Sequence, residues 1–196
     1  MSCTQTTTLD QPEQQQIPLN FSVSSEAHEP AVGEFGDTTN AISQAPTGLT
    51  KSYILTTTNL TSFGVVSSYT GTGNFNTNTS SGSLPNSMYN VDVSRSSSSN
   101  PWDYSPDYFW PASTSNKLSF FAYAPHSSDC GGAVSISSQS TRGVPRLYYT
   151  VPSDPTSHID LLTATPRLNL TRTTGTVSLA MKHVMAKFAF YVKKWN

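Results

Sequence analysis

The chain has 196 residues, a formal net charge of −1 and only 12% charged side chains, against about 25% in an ordinary soluble domain. That length can bury a core without disulfides. The near-zero charge gives no field to draw nucleic acid or an anionic membrane, so no nucleic-acid partner is expected. Ser and Thr fill the deficit, 57 of 196 residues, and such hydroxyl-rich, β-branched sequence suits strand faces better than helices.

Residues 1–16 are polar and Gln- and Thr-rich, which describes a flexible tether. From there Ile17, Leu19, Phe21 and Val23 alternate with polar residues, the period of a half-buried strand. Residues 25–50 carry Gly33, Gly36, Pro30, Pro46 and Gly48 and read as loop. Strands are predicted over Ser52–Thr57 and Thr61–Tyr69, followed by a long polar loop, Thr70–Pro85. Tyr89, Val91 and Val93 alternate again before a Ser-rich turn. Next comes an aromatic and proline block from Trp102 to Pro111, with Tyr104 and Trp110 inside it. It reads as a rigid loop that leads the aromatic strand Lys117–Ala124 (Phe120, Phe121, Tyr123), closed by Pro125, into a core.

Further strands are predicted over Arg146–Val151, Asp160–Thr163, Thr176–Met181 and Lys187–Lys193, with His183 to Ala186 as a tight connection or one helical turn. No window carries a 3.6-residue apolar period. Short strands with turn signals between them argue for an all-β fold, an antiparallel two-sheet sandwich spanning 17–194.

Candidate chemistry is sparse. His28, His126, His158 and His183 stand far apart without the clustered partners a zinc site needs, so no metal is expected, and His183 reads as a hydrogen-bonded core or corner residue. Asp103 and Asp107 lie among prolines and suit turn starts better than paired acid–base work. No G-x-S-x-G elbow occurs, and Gly71-Thr72-Gly73 has no following helix to cradle a phosphate. No catalytic residue and no cofactor is expected; the chain does not read as an enzyme. The sequons at Asn20, Asn59, Asn78 and Asn169 are as many as chance gives in so hydroxyl-rich a chain. Acidic residues gather in the first 50 positions and basic ones in 142–196, and both read as ordinary solvated faces. Cys3 lies in a polar tail with little to hold it near Cys130. No apolar run reaches the 18–20 residues or so that span a bilayer, and no signal peptide follows Met1. The chain is therefore expected to be cytosolic or to begin after a removed leader.

Several stretches together resemble the fimbrillin (Mfa-like) family of bacterial surface proteins. They are Leu60 to Val65, Met88 to Val93, the block from Trp102 through Tyr104 to Trp110 and Pro111, Leu118 to Pro125, Tyr149 to Pro152, Asp160-Leu161-Leu162-Thr163-Ala164, and Val177 to Leu179 leading to His183 and Phe188. The resemblance implies a transthyretin-like, Greek-key sandwich as the N-terminal one of two domains, with the C-terminal domain outside this chain. It implies a structural subunit (stalk, anchor or tip) of a fimbria-like filament, made as an outer-membrane lipoprotein precursor and partnered with other fimbrial subunits. Cys3 after Ser2 is the lipidation candidate, an acyl chain on a spacer tethering the domain to the outer membrane. Family subunits assemble by strand exchange, so Ile17, Leu19, Phe21 and Val23 mark the exchangeable first strand. An Arg commonly precedes the second strand in the family; here none occurs before Arg95, and Lys51 holds about that place as the processing candidate. The alternative is a surface adhesin that binds a glycan or protein through Thr70–Pro85 and the aromatic block, for which exposed aromatics would speak.

Overall fold

The computed structural model describes residues 16–25 and 55–185. Lys51, Cys3 and the predicted strand Lys187–Lys193 lie outside them. Nine strands run in chain order: β1 Asn20–Ser25, β2 Ser62–Gly71, β3 Met88–Ser94, β4 Lys117–Ala124, β5 Val134–Ile136, β6 Leu147–Tyr149, β7 Leu162–Ala164, β8 Arg167–Leu170 and β9 Thr176–His183. Three one-turn 3-10 segments interrupt the connections, and the described residues hold no α-helix. The all-β reading holds.

Seven strands form one sheet in the order β1-β9-β7-β4-β2-β3, with β8 also paired to β4. β5 and β6 make a separate hairpin. The sheet is mixed, not antiparallel throughout. β1 runs parallel to β9, from Asn20 opposite Thr176 to Ser25 opposite Met181, whereas the other pairs are antiparallel. Period-2 patterning cannot distinguish the two senses, because side chains alternate identically in both.

β4 explains how the sheet curls. Its C-terminal half pairs with β7 and its N-terminal half with β8. Thr165 and Pro166 separate those two short strands, and a proline offers no N–H to continue a ladder. β7 then hands the ladder on to β9 and β1, which swings that arm round to face β2 and β4. Phe21 of β1 meets Phe63 of β2 and Phe120 of β4 edge-on, each at 6.0 Å between ring centroids.

The core lies between these arms. Phe63, Val65, Leu118, Phe120, Val177, Leu179 and Met181 are fully or almost fully buried there, and each large apolar side chain so buried contributes roughly 1.5–3 kcal/mol. β2 is buried on both faces from Ser62 to Ser68. Its outer face and that of β4 carry a second, smaller core of Tyr123, Cys130, Val134 and Leu161, roofed by the β5–β6 hairpin.

Two sequence expectations change. Leu55–Thr57 does not form the end of a strand. Thr56 accepts from both the Asn59 and Leu60 amides, and Asn59 Oδ1 caps the Thr56 N–H at 2.6 Å; a Thr-Thr-Thr-Asn run thus closes on itself as a turn. His183 does not lie in a connection but ends β9, and the next residue still bonds to Leu161.

Candidate assembly site: the first strand and its seat

Of the residues singled out in the sequence, Phe121, Tyr123 and Leu161 lie on the outer face, while Ile17, Leu19, Phe21, Val23, Tyr104, Trp110 and Phe120 gather around β1. Alternation sets its two faces: Leu19 is 1% exposed and Phe21 7%, Ile17 and Val23 are half-buried, and Asn20, Ser22 and Ser24 point to solvent. On one side β9 supplies the ladder, and Ser22 Oγ donates to Ser178 Oγ at 3.0 Å. Among the described residues, no strand pairs with the other edge of β1.

The residues just before β1 are clamped by the aromatic block. Pro18 bridges Phe109 in antiparallel fashion. The Leu19 N–H donates to Tyr108 O at 2.9 Å, and the Trp110 N–H to Ile17 O at 2.8 Å. The Tyr104 hydroxyl donates to Leu19 O. Burial, with Asp107 next, raises the Tyr104 pKa further above its usual value, so this donor keeps its proton. Trp110, 4% exposed, donates its indole N–H to Gly175 O at 3.0 Å, just ahead of β9. Its ring meets Phe120 at 5.9 Å.

The seat of Phe21 is therefore aromatic on three sides. Phe63 and Phe120 stand at 6.0 Å and Tyr104 at 5.8 Å, all edge-to-face, the arrangement that aromatic quadrupoles favour. Ser105–Pro106 and Ala124–Pro125 are cis peptide bonds.

The remaining sequence-marked residues are scaffold. Trp102 packs on Phe63 at 4.7 Å and lies under the Arg95 guanidinium, 4.1 Å from its ring centroid. Pro111 is half-buried. Phe121 packs against Phe75 on the outer face, 5.1 Å between centroids. Tyr123 lies over Gly64, where an added Cβ would stand 2.3 Å from the ring. Leu161 and Leu162 fall in the outer and main cores respectively. His183 Nδ1 is 2.9 Å from Asp160 Oδ1, both side chains largely buried.

The chain leaves this region at Ser25 and returns at Leu55, and both points are fastened to the same place. Ser25 Oγ accepts the Thr57 N–H at 3.2 Å, and Asp160 Oδ2 accepts the Leu55 N–H at 2.7 Å. Sequence reasoning missed Asp160 and Arg95. Arg95 donates to Leu60 O at 3.1 Å, to Ser98 O at 3.2 Å and to Thr57 O, which locks the returning turn. Burial lowers its pKa from the ordinary value. A spacing signal could not have found either role, since Asp160 joins Leu55 and His183 from far away in sequence and Arg95 clamps the distant carbonyls of Thr57 and Leu60.

The model of the fimbrillin-like family matches residues 50–196. The chain belongs to this family. The matched range takes in β2 to β9 and leaves β1 before it. No curated protein and no solved structure matches the chain. Fimbrillin-like proteins are structural and belong to surface fimbriae. Among the described residues no helix is long and apolar enough to cross a membrane, and no group of three or more His, Cys, Asp or Glu side chains could hold a metal ion.

Proposed function

We propose that this chain is the N-terminal domain of a fimbrial subunit that joins its neighbours by β-strand exchange at the seat of β1. One observation carries the reading: among the described residues β1 is an edge strand, yet Phe21 on it and Leu19 just before it are buried in the main core. An edge strand donated by another subunit can supply the same main-chain ladder and fill the same pockets. Its removal from an intact chain would otherwise expose Val177, Leu179, Phe63 and Phe120, an apolar surface no monomer tolerates for long.

The connection through residues 26–54 starts and ends at neighbouring points, so a cut there frees the Ser25 end of β1 without disturbing β2. Lys51 is the processing site in this reading, and Cys3 is the acylated residue of a lipoprotein precursor held at the outer membrane. A C-terminal domain then supplies further contacts in the filament. The adhesin alternative draws less support, because Trp110 is buried and Trp102 is half-buried against Phe63, which leaves Phe109 as the exposed ring of the block.

Immunogold electron microscopy of the native host, with an antibody to residues 55–185, tests the proposal. Label along filament shafts supports a stalk subunit, and label at filament ends an anchor or tip. Surface label without filaments would sink the fimbrial role.

A further inference from the structure

We infer that the seat of β1 selects its incoming strand by one aromatic side chain, with stringency that fades along the strand. This rests on the strand-exchange reading above. Two ladders in the seat hold the backbone of the strand. One runs parallel to the resident strand along β9, from Thr176 to Met181. The other runs antiparallel along Tyr108 to Trp110 and takes up the amide of Leu19 and the carbonyl of Ile17. A strand entering the opposite way can pair with both as well, antiparallel with β9, so selection falls to the side chains.

Side-chain selection follows from burial. The Phe21 position is enclosed by Phe63, Phe120 and Tyr104, so a smaller residue leaves a cavity there. The Leu19 position is closed too, at 1% exposure. The Val23 position is half-open, and the Asn20, Ser22 and Ser24 positions face solvent, with Ser178 offering a hydroxyl partner opposite Ser22. The partner is thus a strand of pattern apolar, polar, aromatic, small polar, apolar. It is read strictly at its first half and loosely at its second.

A protease recognition sequence placed within residues 26–54 of the full chain, then cut, makes β1 replaceable. Fluorescent ten-residue peptides are then offered in excess: the sequence of residues 16–25, the same with Phe21→Ala, the same with Val23→Ala, and the sequence in reverse order. The reversed peptide is the informative control, since it can place the same side chains at the same positions only by running backwards. Uptake of the native-sequence peptide is expected, at least about 100-fold weaker for Phe21→Ala, and within about tenfold for Val23→Ala and for the reversed peptide, which keeps its aromatic residue inward. Equal uptake of the Phe21→Ala peptide, or none of the reversed one, would overturn the selection rule while leaving strand exchange standing. Failure of the native-sequence peptide to enter a cut chain that stays folded by circular dichroism would overturn both.

Discussion

Asp160 ties two distant points of the chain together: its Oδ1 lies 2.9 Å from His183 Nδ1 at the end of β9, and its Oδ2 accepts the Leu55 N–H at 2.7 Å. The carboxylate therefore holds the Leu55 backbone to the end of β9. Both sites border the seat of β1, because β9 is its ladder partner.

Asp160→Ala is expected to lower stability by about 2–3 kcal/mol, since it strands a buried amide and removes the carboxylate beside His183. Asp160→Asn keeps one acceptor and is expected to lose about half as much. Urea denaturation followed by circular dichroism measures both. An Ala variant within about 0.5 kcal/mol of the parent would mean that Leu55 and His183 find other partners at no cost.

Arg95 is the second fastening of the same turn, with three carbonyl acceptors and the face of Trp102. Guanidinium geometry serves three acceptors at once, and an ammonium does not. Arg95→Lys should therefore destabilise nearly as much as Arg95→Met, by about 1.5–3 kcal/mol. If Lys restores full stability in the same denaturation assay, charge alone matters there and the three-way clamp is wrong.

Gly64 permits the close approach of Tyr123. A Cβ would stand 2.3 Å from Cε1 of that ring, and the ring cannot swing away freely: its hydroxyl donates to Asn90 Oδ1 at 2.6 Å and accepts the Ser127 N–H at 3.2 Å. Gly64→Ala is expected to cost about 2 kcal/mol or more through overpacking. In a Tyr123→Ala background the same substitution should be nearly silent. Additive effects in that double-mutant cycle would show that the clash is relieved elsewhere.

These residues show what was legible in the sequence and what was not. Strands with a clean period of two, such as Ile17 to Val23 and Val177 to Met181, stand out because one face is buried and the other wet. The aromatic block was legible as structure for the same chemical reason, since so many rings and prolines leave little for solvent. β5 and β8 were not. Val134-Ser135-Ile136 is too short to show a period, and Arg167 to Leu170 pairs with β4 through a ladder that its own composition does not announce. The parallel β1–β9 pair joins residues more than 150 positions apart, and no local pattern encodes its direction. Arg95 was visible only as the first arginine of the chain, whereas its clamp depends on carbonyls that every residue has.

Cys130 gives the last prediction. It is buried between Val134, Tyr123 and Leu161 in the outer core, and its thiol donates to His126 O at 3.3 Å. Burial, then the charge of Asp129, pushes its pKa from about 9 up to about 11. The thiolate is the reactive form, so at pH 8 only about one molecule in a thousand carries it, far fewer than for a free cysteine. In a Cys3→Ser background, alkylation by iodoacetamide should be at least about 100-fold slower in the native protein than in urea. The same shift sets a pH dependence. A thiol that holds its proton more tightly when folded contributes its full share below about pH 9, and that share is lost as pH rises toward 11, because the unfolded chain ionises first. Stability should fall over that window, and Cys130→Ala should flatten the fall. Rapid native labelling, or a slope unchanged by Cys130→Ala, would mean that the hairpin roof of β5 and β6 opens readily over this core.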